Sequence, residues 1–518
     1  MSMTSGFGII DWVVVAAYLL GNAALGWYLS KRGARSARDY FLADGQMPRW
    51  LIAFSVLATT QSAATFLGGP DYGYRADFTY LAGSLGAVLS SLVVAAVLLP
   101  RFYALGVTTV YELLDQRYGK LALRSASAMY LVGRIFANGA RLFMAALAVA
   151  MILFLRTDFS AIALSTAIIV ILGLALSLGG GLRSVIASDA VQLVVYAGTA
   201  VIVLIVLYMR LDLDFAQVIA ALDAPPSGPS KLTLFDFSLA LDDPFTIPAA
   251  FTGLMLLNIG NFGLDQDTTQ RLLAAKSSRH AGWALFWSAI GALPIIFVFL
   301  CIGQLLHIFY ERSDLTGIVT PDAALSSVTI FMRFILTELP DGMRGLCGAA
   351  IVAAAVSTLT SGLSSMSSVA VADFLKPLAG PMSDERTVLA GRIAMVVMAV
   401  VLGLMALVCF FWQRASDLPL LEFALQVMVF AYAGLLGVFA AAVFTNRGSE
   451  ASIVWALIVG FVVMILGEAA IGGAIGVPAT VTSLAFPWKL LVGSVGAFIV
   501  AIAGNLPESE KSRNSLSK

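Results

Sequence analysis

Thirteen apolar stretches of about 20 residues punctuate this chain, each long enough to cross a hydrocarbon core of about 30 Å. They lie near residues 9–30, 50–70, 79–100, 124–155, 159–178, 185–209, 245–264, 281–309, 345–371, 387–412, 418–444, 451–471 and 486–504. A backbone inside lipid must satisfy its own hydrogen bonds, so such stretches are read as helices and the chain as an all-α membrane protein. The composition agrees: 12% of the 518 residues are charged, about half the share in a soluble domain. The first stretch is followed by Lys31 and Arg32 with no small-residue cleavage site, which reads as a retained span rather than a signal peptide.

Thirteen spans put the two termini on opposite sides, and Lys and Arg decide which. With the N-terminus outside, 20 of the 31 basic residues fall on the inner side and 9 on the outer, while Arg134 and Arg141 lie within a span. The expectation is therefore a multi-pass inner (plasma) membrane protein, N-terminus outside and C-terminus cytoplasmic. Zero net charge and the lack of a basic tract point away from nucleic acid. Cys301, Cys347 and Cys409 lie in apolar spans without disulfide or zinc-ligand spacing, and His280 and His307 are too separated for a metal centre. With no soluble catalytic domain and no cluster of reactive side chains, an enzyme is not expected. A membrane sensor would need a signalling domain, and the chain ends about a dozen residues past its last span. Membrane lipid and a small-molecule substrate are the expected partners, with no obligatory protein partner evident.

Two spans do not read as uninterrupted helix. The second carries Ala58-Thr59-Thr60-Gln61-Ser62-Ala63-Ala64-Thr65 followed by Gly68-Gly69-Pro70, and the seventh carries Asn258-Ile259-Gly260-Asn261-Phe262-Gly263-Leu264-Asp265-Gln266-Asp267. Broken helices at matching places in two halves are the best sequence pointer to a transporter site at the bilayer midplane. Spans two to six form one five-helix block (50–209) and spans seven to eleven another (245–444), each opening with its interrupted helix. Five is odd, so the second block sits inverted. Around them lie a leading helix and loop (1–49), an external loop (210–244), and two trailing helices with a short tail (445–518). Small and polar residues also let helices pack closely, which remains the alternative reading of each span alone.

In the ninth span Ala354, Ser357, Thr358 and Ser361 share one helical face and offer oxygens suited to a singly charged hard cation. Such hydroxyls equally bond back to the carbonyl one turn earlier. Asp189, early in the sixth span, is either a functional carboxylate at membrane depth or a helix cap. It can also carry a proton, which would make proton coupling the alternative to sodium. In the fourth span Arg134, Asn138 and Arg141 fall on one face. The guanidinium fork matches a carboxylate, but these arginines can also pair internally with Asp265, Asp267 or Glu422.

The order and wording of several motifs resemble the sodium:solute symporter family, which includes bacterial proline, galactose and sialic acid carriers. The matches run from Asp39-Tyr40-Phe41-Leu42-Ala43 to Asp373-Phe374. Between them come Gly-Gly-Leu-Arg-(x)5-Asp-x-x-Gln at 180–192, Gln270-Arg271-Leu272-Leu273-Ala274-Ala275-Lys276, and the Ser/Thr helix at 357–361. The resemblance implies a LeuT-like five-plus-five inverted repeat with one leading and two trailing helices, and Na+ as the coupling ion. It places one Na+ on the backbone carbonyls of Ala58, Gln61 and Ala354 and the hydroxyls of Ser357 and Thr358. Thr358 stands where many members have a second serine. A second Na+ would fall on Asp189, Ser357, Thr360 and Ser361. The substrate would sit between the broken helices, lined by Ser62, Thr65, Asn258, Asn261 and Phe262, with Gln426 joining. Arg134 lies about where sialic acid carriers place an arginine, so Arg134, Asn138 and Arg141 imply an anionic solute such as a carboxylate or sugar acid. Asp265 departs from the asparagine common in the family.

Overall fold

Apolar runs without internal helix breakers become helices, and among the described residues of this computed structural model no strand occurs beyond a single bridge between Met47 and Ala275. Residues 6–30, 36–178, 181–226, 228–317, 327–416 and 418–505 are described. Lys31, Arg32 and Arg35 of the first loop, Gly179 and Gly180 before Leu182-Arg183, and the basic residues of the tail lie outside them.

Among the described residues ten helices are long and apolar enough to cross a membrane, and two bent pairs raise the number to twelve. The bent pairs are Arg49–Thr60 with Ala63–Arg75, at 61°, and Leu420–Met428 with Tyr432–Phe444, at 42°. The twelfth expected span, 451–471, is the shortfall. Its helix, Glu450–Leu466, has 17 residues and reaches only about 26 Å at 1.5 Å per residue, so the supported count is ten to twelve.

Two helices form the middle of the molecule. Lys120–Phe154 and Met343–Val369 are the most enclosed spans, with 83% and 89% of their apolar windows buried, against 17% for the first helix. They pack on each other, and Gly181–Leu211 packs on the second of them. Most of the chain's polar residues at membrane depth sit on these three helices or on the two broken spans beside them.

The first break falls at Gln61 and Ser62. Gln61 is extended (φ −85°, ψ 125°) and its N–H closes the preceding helix on the Leu57 carbonyl. Ser62 then caps the next half-helix, its hydroxyl accepting from the Ala64 N–H at 3.2 Å. A helix end leaves its last carbonyls without intrahelical partners, so those from Ala58 onward are open to other ligands. The second half-helix lies backbone to backbone on Ser278–Glu311. A Cβ on Gly73 would come within 2.5 Å of the Leu300 carbonyl oxygen, and one on Gly303 within 2.3 Å of that of Pro70.

The seventh span breaks differently. From Ile247 it stays helical through wide π-type turns at Ala250–Leu254 and Gly260–Leu264, then opens at Asp265 (φ −91°, ψ 119°). A short helix, Gln266–Leu273, restarts with the Asp265 side chain as its cap, accepting from the Asp267 N–H at 2.9 Å. The polar stretch 258–263 thus widens the helix, and the interruption lies just after it.

Candidate functional site

Between the first broken span, Lys120–Phe154 and the wide-turned seventh span lies a cavity of about 130 Å³. Five of the nine residues expected at the substrate line it: Thr65, Arg141, Asn258, Asn261 and Phe262. Asn258 gives its amide N–H to the Leu254 carbonyl at 2.8 Å, which leaves its oxygen toward other partners. Tyr80, Ser84, Phe245, Ser288 and Met428 also line the cavity and had not been expected. Ser84 and Ser288 carry a faint signal, being isolated hydroxyls in otherwise apolar runs. The aromatic and sulfur residues carry none.

The other four expected substrate residues lie elsewhere. Ser62 is occupied as a helix cap, and its carbonyl accepts from Tyr196 Oη at 3.2 Å. Gln426 donates to Glu468 on the far side of its helix. Asn138 lines a separate cavity of about 10 Å³ with Arg141, Ala354 and Thr358. Both ends of its buried amide lack a partner among the described residues.

Arg134 is held inside a carboxylate network. Its Nη1 lies 3.0 Å from Asp265 Oδ2 and its Nη2 pairs with Asp267. Asp267 also takes Arg271 Nη1 at 2.7 Å and the Ser361 hydroxyl at 2.5 Å. Asp265 accepts from Tyr432 Oη at 2.5 Å. Arg271 reaches onward to Asp189, 3.2 Å away. The chain of contacts Asp265–Arg134–Asp267–Arg271–Asp189 is buried throughout. Buried charges persist only when paired and hydrogen-bonded in this way. Arg134 pairs with two of the three acids considered for it, and Glu422 takes no part. Arg141, two turns further along the same helix, has no carboxylate partner among the described residues. Its Nη2 faces Met428 Sδ at 3.3 Å, and the side chain borders the large cavity.

The residues of the expected first ion site converge as well. Ala58, Gln61, Ala354 and Ser357 line a cavity of about 10 Å³, together with Gln192 and Tyr196. That is the room of about one water molecule. Ser357 donates to Asp189 Oδ1 at 2.8 Å, so the hydroxyl proton is committed and its lone pairs remain for a cation. Gln61 Oε1, Gln192 Oε1 and the Thr358 hydroxyl are buried without partners among the described residues. Neutral oxygens short of donors fit a small hard cation. Thr358 borders the neighbouring small cavity rather than this one.

The second expected ion set is less compact. Asp189 is engaged by Ser55 at 2.5 Å, Ser357 and Arg271. Ser361 belongs to the other carboxylate, Asp267, and the Thr360 hydroxyl donates to the Ser357 carbonyl at 3.2 Å.

Comparison with known proteins bears on what these cavities serve. The sodium/sialic acid symporter SiaT of Proteus mirabilis (strain HI4320) is 27% identical over 464 residues, covering 89% of each chain. The human sodium-coupled monocarboxylate transporter 2 is 28% identical over 392 residues, 73% of this chain and 60% of that one. A solved structure of a Na+-coupled sialic acid symporter, substrate-bound and outward-open, superposes with a TM-score of 0.81 at 26% identity, covering 96% of this chain and 98% of that one. The family model described as the sodium:solute symporter family matches residues 40–460. With that match spanning both broken helices and the serine-rich helix between them and the C-terminus, the chain belongs to the sodium:solute symporter family, a transporter coupled to sodium and not an enzyme.

Proposed function

We propose that this protein carries a small carboxylate anion into the cell together with Na+, by alternating access around the 130 Å³ cavity. One observation carries the anionic reading. Arg141 brings an uncompensated guanidinium to the cavity, whereas Arg134 is neutralised by Asp265 and Asp267. A guanidinium at membrane depth is costly unless paired or solvated, and a substrate carboxylate would pair it in the fork geometry it favours. Asn258, Asn261, Ser84 and Ser288 add hydrogen-bonding groups, while Phe245 and Phe262 close the apolar side. The size of the cavity favours a short molecule. A cavity of about 150 Å³ holds benzene, so a sugar acid as large as sialic acid would require this one to widen.

The ion is assigned to the carbonyls of Ala58, Gln61 and Ala354 and the hydroxyls of Ser357 and Thr358. Sodium there would tie the first broken span to the serine-rich helix and hold Gln61, which also lines the large cavity. The layout that suits this cycle is the inverted five-plus-five one, blocks 50–209 and 245–444, with the N-terminus outside and the C-terminus in the cytoplasm. Uptake into proteoliposomes tests the reading across short carboxylates, sugar acids, amino acids and neutral sugars under imposed sodium, potassium or proton gradients. Sodium-driven uptake of a short carboxylate is expected. A neutral sugar as the sole transported solute would overturn the anionic reading.

A further inference from the structure

A second, larger cavity lies apart from both candidate sites, on the membrane-facing side of the seventh span. Its volume is about 420 Å³, about three times that of the candidate substrate cavity. Val93 and Val97 form one wall, Leu256, Ile259 and Leu264 of the seventh span the floor, and Val443, Val495 and Phe498 the other side. The side chains on its walls are hydrocarbon except for Ser494, whose buried hydroxyl has no partner among the described residues. Its rim opens outward. Val495 is 49% exposed and Phe444 70%, so the groove faces what surrounds the spans rather than the protein interior.

One end carries charge. Arg101, exposed, stands one helical turn beyond Val97 and donates to the Val97 carbonyl. Hydrocarbon walls ending at an exposed guanidinium match the division of a phospholipid into acyl chain and anionic headgroup. We propose that the groove is a binding site for a bilayer phospholipid with an anionic headgroup, one acyl chain lying along the walls and the phosphate at Arg101. The position gives such a lipid a consequence for transport. Leu264 closes the wide-turned segment that ends at the Asp265 break and Ile259 immediately precedes it, so an acyl chain against them braces the element that must move.

The test uses the full chain in liposomes containing phosphatidylglycerol with a photoactivatable diazirine in its acyl chain, the labelled peptides being mapped by mass spectrometry. Label is expected to concentrate on residues 93–98 and 491–498, several-fold above the equally lipid-facing helix Asp384–Ser416. Val97→Trp combined with Val495→Trp fills the groove from its partly exposed rim and should reduce that label several-fold without changing the label on the control helix. Should the filled variant fail to fold, Arg101→Gln decides. It should lower labelling by the phosphatidylglycerol probe several-fold and leave labelling by a phosphatidylcholine probe of the same chain unchanged. Even labelling of all exposed helices overturns the proposal, as does labelling indifferent to Arg101→Gln. Cross-links between two copies of the chain at these residues would overturn it too, by assigning the groove to a subunit contact.

Discussion

Arg134 and Arg141 lie on one face of one helix, yet removing each should have opposite consequences. Arg134→Gln strips the shared cation from Asp265 and Asp267, and breaking a buried pair costs about 3–5 kcal/mol. That variant should lose thermal stability before any transport defect can be assigned. Arg141→Gln leaves no carboxylate behind, so the protein should keep its melting temperature and lose uptake of the anion. Equal stability losses in the two would sink the distinction between them. At Ser357 the hydroxyl donates to Asp189, and in the proposed ion site its lone pairs would also hold the ion. Deleting a hydrogen-bonding group to a charge removes about 1.5–3 kcal/mol, so Ser357→Ala should weaken apparent sodium affinity roughly ten- to hundredfold. Unaltered sodium dependence would mean that the ion binds elsewhere. The hydroxyl face at 354–361 was legible because such residues are rare in an apolar span. Which arginine faces the cavity was not legible. Helical spacing places both on one face, and the acids that claim Arg134 lie more than a hundred residues away in sequence.

Breaks and contacts between helices were legible to different degrees for a similar reason. The break at Gln61–Ser62 is written in local chemistry, a polar run ending in a serine that can cap. In the seventh span the whole stretch 258–267 reads as interrupted, but the backbone opens at one place within it, Asp265, where a side chain caps the restart. The contact between Ala63–Arg75 and Ser278–Glu311 was invisible, because a glycine in an apolar helix does not announce what approaches it. Gly303→Val should be among the most damaging substitutions in the protein, since its Cβ would meet backbone atoms of Pro70 and Tyr74 at 2.3 and 2.6 Å. Loss of folded protein on size-exclusion chromatography is expected, and a normal profile would mean that the helices part easily. The 210–244 loop is fastened to the same half-helix by Lys231, which donates to the Tyr74 and Ala76 carbonyls at 3.0 and 2.7 Å. Burial lowers this ammonium from 10.5 to about 8. A released loop would hold its lysine proton up to the ordinary value, so docking gains stability as pH rises from about 8 toward about 10.5 and gains nothing below that window. The melting temperature of the wild type relative to Lys231→Met should therefore climb between pH 8 and 10. Parallel curves would show that the lysine is not docked.

Across the whole molecule the two candidate cavities are joined by a single side chain. Gln61 lines both the small cavity with Ala354 and Ser357 and the large one with Arg141, and it sits in the break that separates the two half-helices. An ion that fixes Gln61 also fixes one wall of the substrate cavity, so the two ligands should bind cooperatively. Coupling of this kind has to be reciprocal: the factor by which sodium tightens the substrate equals the factor by which the substrate tightens sodium, typically about 5–150-fold. Calorimetric titration of each ligand in the presence and absence of the other measures both factors independently. Gln61→Ala should bring both toward one while leaving Arg141 and Ser357 in place, so that each ligand still binds alone. Were both factors to stay large in that variant, the connection between the sites would run by another route, either the small cavity where Arg141 meets Ala354 and Thr358 or the buried Asp189–Arg271–Asp267–Arg134 chain. That chain links Ser357 to the helix carrying Arg141 by a route that bypasses the break.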